Sequence, residues 1–394
     1  MKMTFLRRLC AVLTGITFLV SGLAKIIDPV GTMLIVTEYF KLLHLGFMIP
    51  AAKVIGVILA TVEALTGLAL ITGVMRKVAA WITYAMVGFF TLVTLFLLFR
   101  NPSMDCGCFG EAVHLNHLQS FLKNIALLAL ACIAFIPLKS IGKPKTRKWI
   151  SFGIAAISVL YTVLYSNTHI PIVDFTEFNL GAELMASLDD DIEADNHYQT
   201  MYVYEKDGQE GIFPDGNKPV ADTAWKFVRA DTLFREGIGM QEKHPVLSFR
   251  NADGYYLDSE AAQGKVVVFS VYAPSKANWD RLHRQFMQVL DAGARPILMV
   301  ASYPSEIDSL GIPVDLPVNY ADYKTLITLN RSNGGATYIC EGEIIGKWHQ
   351  RGFPASIAQM IKQDPVDLCS NLILDRRIKA QGFALYLVAL LILV

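Results

Sequence analysis

The hydrophobic and polar positions divide this chain into two halves of different character. Five long apolar stretches lie in the first half, at residues 9–24, 55–75, 78–99, 118–138 and 149–165. The third stretch holds no charged residue, and the second holds one, Glu63. A hydrocarbon core about 30 Å thick needs about 20 helical residues to cross it. The pattern therefore predicts several membrane-spanning helices, although the first stretch also has the features of a cleaved signal peptide.

The second half alternates in the manner of an α/β domain. Strands are predicted at 200–205, 245–249, 266–271 and 296–302, with a hairpin of 336–340 and 343–348 and helices at 277–292, 322–329 and 356–362. This order of elements favours a mixed α/β fold. Residues 189–191 are three aspartates and are expected in a solvated loop. The final apolar run, 383–394, is too short to span a membrane alone, so it is a partial span, a truncated sixth helix or an amphipathic anchor.

Composition supports a membrane protein with a water-exposed part. Hydrophobic residues make up 53% of the 394 positions and charged residues only 18%, which excludes a single soluble enzyme, a disordered chain and a fibrous repeat. The net charge of zero is the sum of a basic and an acidic part. Residues 1–169 hold 15 basic and 5 acidic side chains, and residues 170–394 hold 20 basic and 30 acidic side chains. The soluble half has no basic patch with interleaved aromatic residues, so a nucleic-acid partner is not expected.

Basic residues predict the orientation of the helices. Clusters precede the first helix, separate the second from the third, and separate the fourth from the fifth; they are Lys2, Arg7 and Arg8, then Arg76 and Lys77, then Lys139, Lys143, Lys145, Arg147 and Lys148. All three fall on one side if five helices span, and that side should be the cytoplasm. The loop at 100–117 and everything after residue 166 then face the exported side of a bacterial inner membrane.

The loop between the third and fourth helices carries the candidate chemistry. Cys106 and Cys108 are separated only by Gly107, and a disulfide between them would close a small, strained ring that is easily reduced. Three interpretations stay open: a redox pair, a structural staple, or a metal site completed by His114 and His117. We favour the redox pair and expect no bound metal.

Buried acid and thiol groups elsewhere have open roles. Glu63 lies inside a predicted span, where it would bind a quinone headgroup, relay protons, or hydrogen-bond a Thr or Tyr of another helix. A quinone is thus the one cofactor considered. Lys25 and Asp28, followed by Pro29, are expected to form an ion pair that ends the first helix. Cys340 and Cys369 either pair with each other, stay unpaired, or exchange with the loop cysteines.

The helical half resembles a known family. Residues 18–29 look like the first-helix signature of DoxX-like membrane proteins, and Cys106-Gly107-Cys108-Phe109-Gly110 is similar to the loop of the MauE branch, the methylamine-utilisation membrane proteins. The resemblance covers about residues 5–140. It implies a transmembrane four-helix bundle, here with an extra fifth helix, and a role in disulfide formation or maturation of exported proteins.

Residues 240–365 are similar to thioredoxin-like domains of exported, membrane-tethered proteins. The resemblance rests on residues 264–269 and on the hairpin at 335–345. Where that family places its Cys-x-x-Cys motif, residues 272–279 contain no cysteine, and Ala336 stands where it places a cis-proline. A thiolate is the nucleophile of thioredoxin chemistry. The resemblance therefore implies a thioredoxin-like domain that has lost the CxxC motif and its redox activity.

These observations give the expected organisation and function. The expected regions are a bundle at 1–140, a basic loop and fifth helix at 141–169, an exported linker or subdomain at 170–239, the thioredoxin-like domain at 240–365 and a tail at 366–394. The first functional hypothesis is thiol–disulfide exchange through Cys106 and Cys108, with membrane lipid around the bundle and an exported client or a periplasmic thioredoxin-like protein as partner. The alternative is a non-catalytic assembly protein that binds partners through the domain at 240–365, which we call the outer domain after its expected side of the membrane.

Overall fold

A computed structural model of the chain describes residues 2–100, 106–113, 115–136, 145–184, 198–206, 209–214, 225–234, 245–302, 304, 307 and 310–392. The three aspartates at 189–191, His114 and the basic residues Lys139 and Lys143 fall outside this range.

Six helices build the first half of the described chain. They are α1 (Lys2–Ile27), α2 (Pro29–Leu42), α3 (Ala52–Thr72), α4 (Arg76–Arg100), α5 (His117–Phe135) and α6 (Thr146–Ser166). A short extended segment, β1 (Cys108–Glu111), precedes α5. Five stretches are long and apolar enough to cross a membrane: Phe5–Ile27, Gly46–Thr72, Arg76–Arg100, His117–Phe135 and Thr146–Ser166. The five apolar helices predicted from the sequence are thereby confirmed.

Glycine lets α1 and α3 pack closely. A Cβ atom added at Gly22 would lie 2.6 Å from the backbone nitrogen of Ala64, and one added at Gly67 would lie 2.6 Å from the carbonyl oxygen of Gly15. Small residues at such crossings allow backbones to approach in lipid, where helices associate by packing rather than by the hydrophobic effect. The contact fixes α1 against α3 and so sets the positions of the polar side chains near the carboxyl end of α1.

The sequence pattern does not predict helix α2, because Asp28 and Pro29 indicate the end of α1. The structure shows that they end α1 and also begin α2. Asp28 is the N-cap residue, its side chain accepts a hydrogen bond from the backbone N–H of Gly31 at 2.9 Å, and Pro29 occupies the first turn. Both features are typical of helix starts. The predicted Lys25–Asp28 ion pair is also wrong, because Lys25 pairs with Glu63.

The second half contains two sheets. The smaller consists of β2 (Tyr198–Lys206), β3 (Gln209–Pro214) and β4 (Lys226–Phe234) in the order β3-β2-β4, all antiparallel. The larger consists of β5 (Phe249–Arg250), β6 (Lys265–Val271), β7 (Arg295–Val300), β8 (Val318–Ala321), β9 (Gly335–Cys340) and β10 (Glu343–Trp348), in the order β10-β9-β6-β7-β8-β5. Strands β6, β7 and β8 run parallel, while β5, β9 and β10 run antiparallel to their neighbours.

Helices cover both faces of the six-stranded sheet. They are α7 (Asp258–Ala262), α8 (Trp279–Asp291), α9 (Tyr323–Leu329), α10 (Ile357–Lys362) and α11 (Pro365–Ile392). Val267 and Phe269 of β6 pack with Leu282 of α8 on one face, and Val268 packs with Leu326 of α9 on the other. A strand buried on both faces is apolar throughout, which explains the continuous hydrophobic run in β6. The mixed α/β fold predicted from the sequence is thereby confirmed.

The apolar run at the end of the chain belongs to α11, a helix of 28 residues. Its first half packs on the sheet, where Leu368 and Cys369 join the core. Further along, Phe383 packs against a buried cluster of the helical half, and the hydroxyl groups of Tyr386 and Ser158 of α6 form a hydrogen bond. The run is thus continuous with a helix that contacts both halves of the protein.

A buried ion pair fastens the segment after α6 to the sheet. Lys347 of β10 lies 2.7 Å from Asp174, and the two side chains are 3% and 9% exposed. Burial alone would raise the pKa of Asp174, but the Lys347 ammonium and hydrogen bonds from Thr176 hold it below its usual value. The segment after α6, which connects the two halves of the chain, is therefore attached to the sheet by a buried ion pair.

Candidate thiol site at the end of the helical bundle

The Cys-Gly-Cys loop, defined here as residues 106–113, depends on glycine. Gly107 has φ of +60°, in the left-handed region that side chains rarely adopt. A Cβ atom at this position would also overlap the side chain of Ile35 in α2. The loop therefore turns sharply between the two cysteines while its backbone lies directly against α2.

Two hydroxyl groups hold the loop by its carbonyl oxygens. Tyr39 of α2 donates to the carbonyl of Cys106 at 2.8 Å, and Ser21 of α1 donates to the carbonyl of Cys108 at 2.6 Å. Burial raises the pKa of Tyr39 above its usual value, and the neighbouring Cys106 and Cys108 raise it further. The phenol consequently stays protonated and keeps its role as donor.

The two thiols of the loop have different surroundings. Cys106 is 5% exposed, and its sulfur lies 3.2 Å from Nδ1 of His117, the first residue of α5. Cys108 is only partly buried. Asn116 and Gln119 form a reciprocal capping box at the start of α5, which fixes the backbone that carries His117. The structure thus adds an imidazole within hydrogen-bonding distance of the predicted Cys106.

A chain of polar contacts links Glu63 to this loop. Glu63 of α3 lies 2.7 Å from the ammonium of Lys25, with the two side chains 8% and 12% exposed. The same ammonium donates to the hydroxyl of Ser21 at 3.2 Å, and Ser21 in turn holds Cys108. The interhelical partner of Glu63 is therefore a lysine, where the sequence suggested Thr or Tyr. Its role as a quinone or proton site stays a prediction.

Arg331 brings the outer domain to this end of the bundle. It lies in the segment before β9, and its guanidinium is 3.0 Å from the carboxylate of Asp28, with both side chains at least 95% buried. Its carbonyl accepts a hydrogen bond from Tyr272, and Asn333 exchanges two hydrogen bonds with the backbone of Ala273. We call Tyr272, Ala273, Arg331 and Asn333 the docking face. It includes the start of the cysteine-free segment at 272–279.

The other cysteines lie away from the loop. Cys340 of β9 and Cys369 of α11 are buried in one core cluster of the sheet, and burial raises the pKa of both thiols. Cys10 is buried in the bundle and Cys132 is partly buried. Raised pKa values make thiols poor nucleophiles, so Cys340 and Cys369 have the character of structural thiols. Among the residues that the structure describes, no group of three or more His, Cys, Asp or Glu side chains is placed to hold a metal.

The helical half has a counterpart among known families. A family model described as Methylamine utilisation protein MauE matches residues 3–137. This stretch is MauE-like. The MauE-like region comprises α1 to α5 together with the Cys-Gly-Cys loop. This match and the five apolar helices identify the chain as a multi-pass membrane protein.

Other comparisons extend beyond the MauE-like region. The chain is 25% identical over 178 residues to Protein TlpB of Flavobacterium psychrophilum, a match that covers 44% of this chain and 48% of TlpB. It thus spans about half the length of this curated relative. A second family model, described as a domain of unknown function (DUF8463), matches residues 198–236, which contain the three-stranded sheet. No solved structure matches the chain.

Several residues of the site were not recognised from the sequence. The sequence suggests His117 only as a metal ligand, and it gives no functional role to Ser21, Tyr39 or Arg331. A signal for His117 was present, because it begins an apolar helix nine residues after Cys108. The contacts of Tyr39 and Arg331 join positions 67 or more residues apart from their partners, and one sequence gives no sign of such pairs.

Proposed function

We propose that this membrane protein carries out thiol–disulfide exchange through Cys106 and Cys108 during the maturation of exported proteins. The observation that carries the proposal is the unequal pair of thiols, one buried beside His117 and one partly exposed. A nearby base and a partly accessible partner sulfur are what exchange chemistry requires. A structural staple would need neither.

The rigid setting of the loop also supports exchange. Hydroxyl donors from α1 and α2 hold the carbonyl oxygens of Cys106 and Cys108, so the backbone on both sides of Gly107 is anchored to the helices. Packed helices hold reactive groups in one geometry more precisely than a mobile loop does. The MauE-like match and the partial match to TlpB are consistent with a membrane factor of this kind.

We place the loop and the outer domain on the exported side of a bacterial inner membrane. Arg8 and Arg76 converge near Gly73, and Lys148 interacts with both arginines. This basic cluster supports a cytoplasmic location for that end of the bundle. An oxidising exterior would then permit the Cys106–Cys108 disulfide to form.

The outer domain is, in our proposal, a thioredoxin-like domain without redox activity that presents a client to the loop. Its mixed sheet, with a parallel centre and an antiparallel hairpin at one edge, supports this assignment. The segment at 272–279 has no thiol to offer. Client proteins with exported thiols, or a separate thioredoxin-like protein, are the expected partners.

One contact favours the alternative, a non-catalytic assembly protein. The buried Arg331–Asp28 pair fixes the outer domain against the bundle, as a scaffold would require. In that case the Cys-Gly-Cys loop would only brace the end of the bundle, and its disulfide would resist reduction.

The midpoint potential of the Cys106–Cys108 pair separates the two functions. It would be measured in nanodiscs with Cys10, Cys132, Cys340 and Cys369 replaced by serine. Exchange catalysts have potentials well above about −300 mV, whereas structural disulfides lie below it. A value below that limit, together with unimpaired disulfide formation in exported proteins after Cys106→Ala, would establish the assembly function instead.

A further inference from the structure

The unequal burial of the two thiols implies an order of reaction. We infer that Cys108 is the sulfur that reacts first with a client and that Cys106, with His117 as its base, completes the exchange. This inference rests on the proposed function and assigns a role to each of the three side chains.

Access decides which sulfur reacts first. Attack on a protein disulfide brings a whole polypeptide to the sulfur, and Cys106 is 5% exposed with its carbonyl held under Tyr39. Cys108 is only partly buried, on the far side of the Gly107 turn. Access controls thiol–disulfide exchange together with thiolate content. Cys108 is therefore the entry point, and direct attack by Cys106 on a client is much slower.

His117 supplies what the buried thiol lacks. A thiol removed from water ionises poorly, and only the thiolate attacks. Nδ1 of His117 lies 3.2 Å from the sulfur of Cys106, which is within hydrogen-bonding distance for sulfur. The amino end of α5, where His117 sits, also favours a nearby negative charge. The geometry makes His117 the acceptor of the Cys106 proton.

The exchange balances without any further reagent. Cys108 loses its proton to solvent, and its thiolate attacks a client disulfide. One sulfur–sulfur bond replaces another, and the first client thiolate leaves and takes a proton from solvent. Cys106 then passes its proton to His117 and attacks the sulfur of Cys108, which releases the second client thiolate; His117 returns the proton to that thiolate. Two electrons pass from the pair to the client. A second client dithiol restores the pair by the reverse steps.

Other ionisable groups around the loop come from three helices and from the loop itself. Tyr39 of α2 contacts the carbonyl of Cys106, and Lys25 of α1 acts through Ser21 on Cys108. Lys123 of α5 lies over the ring of Phe109, 5.0 Å from its centre. Tyr39 interacts electrostatically with both thiols, and Glu111 lies in the loop itself. A pH effect is therefore assigned to His117 only when it disappears in His117→Gln.

The first test determines the order of attack. Full-length protein in detergent, with the four other cysteines replaced by serine, would be reduced and mixed with a fluorescent peptide containing one internal disulfide. Cys106→Ser should accumulate a mixed disulfide on Cys108, and Cys108→Ser should form one on Cys106 at least about tenfold more slowly, because burial limits access. Faster trapping on Cys106 would overturn the order. Failure of both variants to react would refute the proposed function itself.

The second test isolates His117. In His117→Gln the first mixed disulfide should form at the parent rate, while release of the second peptide thiol near pH 7 should slow by about 100-fold, as for loss of a general base. The defect should shrink as the pH rises and Cys106 ionises unaided. His169→Gln is the matched control. Parent-like release near pH 7, or a defect independent of pH, would show that His117 has no role as a base.

Discussion

Arg331 of the outer domain and Asp28 of the MauE-like region form an ion pair of 3.0 Å whose side chains are 5% and 2% exposed. Asp28 simultaneously caps α2, the helix that carries Tyr39 and Ile35 against the Cys-Gly-Cys loop. One carboxylate thus connects the outer domain, the loop and the start of a helix. Because both charges are buried, each depends on the other for compensation.

The first prediction concerns this pair. Arg331→Gln leaves the Asp28 carboxylate buried without its cation, and loss of one partner of a buried pair costs about 3–5 kcal/mol. Asp28→Asn removes the charge but keeps a side-chain oxygen for the cap of α2. We expect either variant to loosen the outer domain, to be measured as faster hydrogen–deuterium exchange at the docking face.

The control and the contradicting result are both available in this chain. Lys379→Gln removes an exposed pair with Asp375, at 2.6 Å, and should change exchange little. In a double-mutant cycle, Asp28→Asn with Arg331→Gln should be much less harmful than the sum of the single effects. Additive effects would mean that the two charges do not stabilise each other.

The second prediction concerns Glu63. Glu63→Gln leaves the Lys25 ammonium buried without a counter-charge, so we expect a loss of about 3–5 kcal/mol in resistance to unfolding in detergent. The double variant Lys25→Met/Glu63→Leu should recover most of it, because apolar pairs can replace buried ion pairs. If the double variant is stable yet exchanges thiols slowly, the contact of Lys25 with Ser21, which holds the carbonyl of Cys108, is needed for exchange.

Local signals in the sequence account for the parts of the structure that were predicted. The composition and length of the apolar stretches predict the helices, and a continuous run of Val and Phe predicts β6. Both predictions succeed because each pattern lies within one short segment of the sequence. Asp28 and Pro29 were misinterpreted since the same residues end one helix and begin another. The Lys25–Glu63 and Cys106–His117 contacts were missed because helix packing decides them, and one sequence does not show which helix faces which.

The third prediction concerns Gly107. Gly107→Ala forces a Cβ into the side chain of Ile35 and places alanine at φ of +60°, which costs about 1–2 kcal/mol for the backbone alone. We expect slower thiol exchange because the two sulfurs are displaced. Ile35→Ala should restore part of the rate by making space, and Gly153→Ala, at a position with nothing nearby, is the control. Full activity of Gly107→Ala would show that the turn is not needed.

The fourth prediction concerns topology. Lys276 is exposed in the outer domain. In a variant with Lys276→Cys as its one cysteine, an impermeant maleimide should label intact spheroplasts as fully as it labels lysed cells. Arg147→Cys, at the opposite end of the bundle, should be labelled only after lysis. The reverse pattern would place the outer domain in the cytoplasm.

The last prediction concerns the response of the outer domain to acid. Burial lowers the pKa of His349 from 6.5 to about 4, and the nearby positive charges of Arg351, His169 and others contribute. Nδ1 of His349 also accepts a hydrogen bond from the backbone N–H of Arg351 at 3.0 Å, which requires the neutral ring. Between about pH 4 and pH 6.5, His349 is protonated in the unfolded chain and neutral in the folded chain.

Stability should therefore fall as the pH drops from about 6.5 to about 4, with no further loss from this residue below that. His349→Asn keeps an acceptor oxygen for Arg351 but does not titrate, so its thermal midpoint in detergent should fall less than that of the parent protein between pH 7 and pH 5. An equal fall in both proteins would assign the acid sensitivity to other groups.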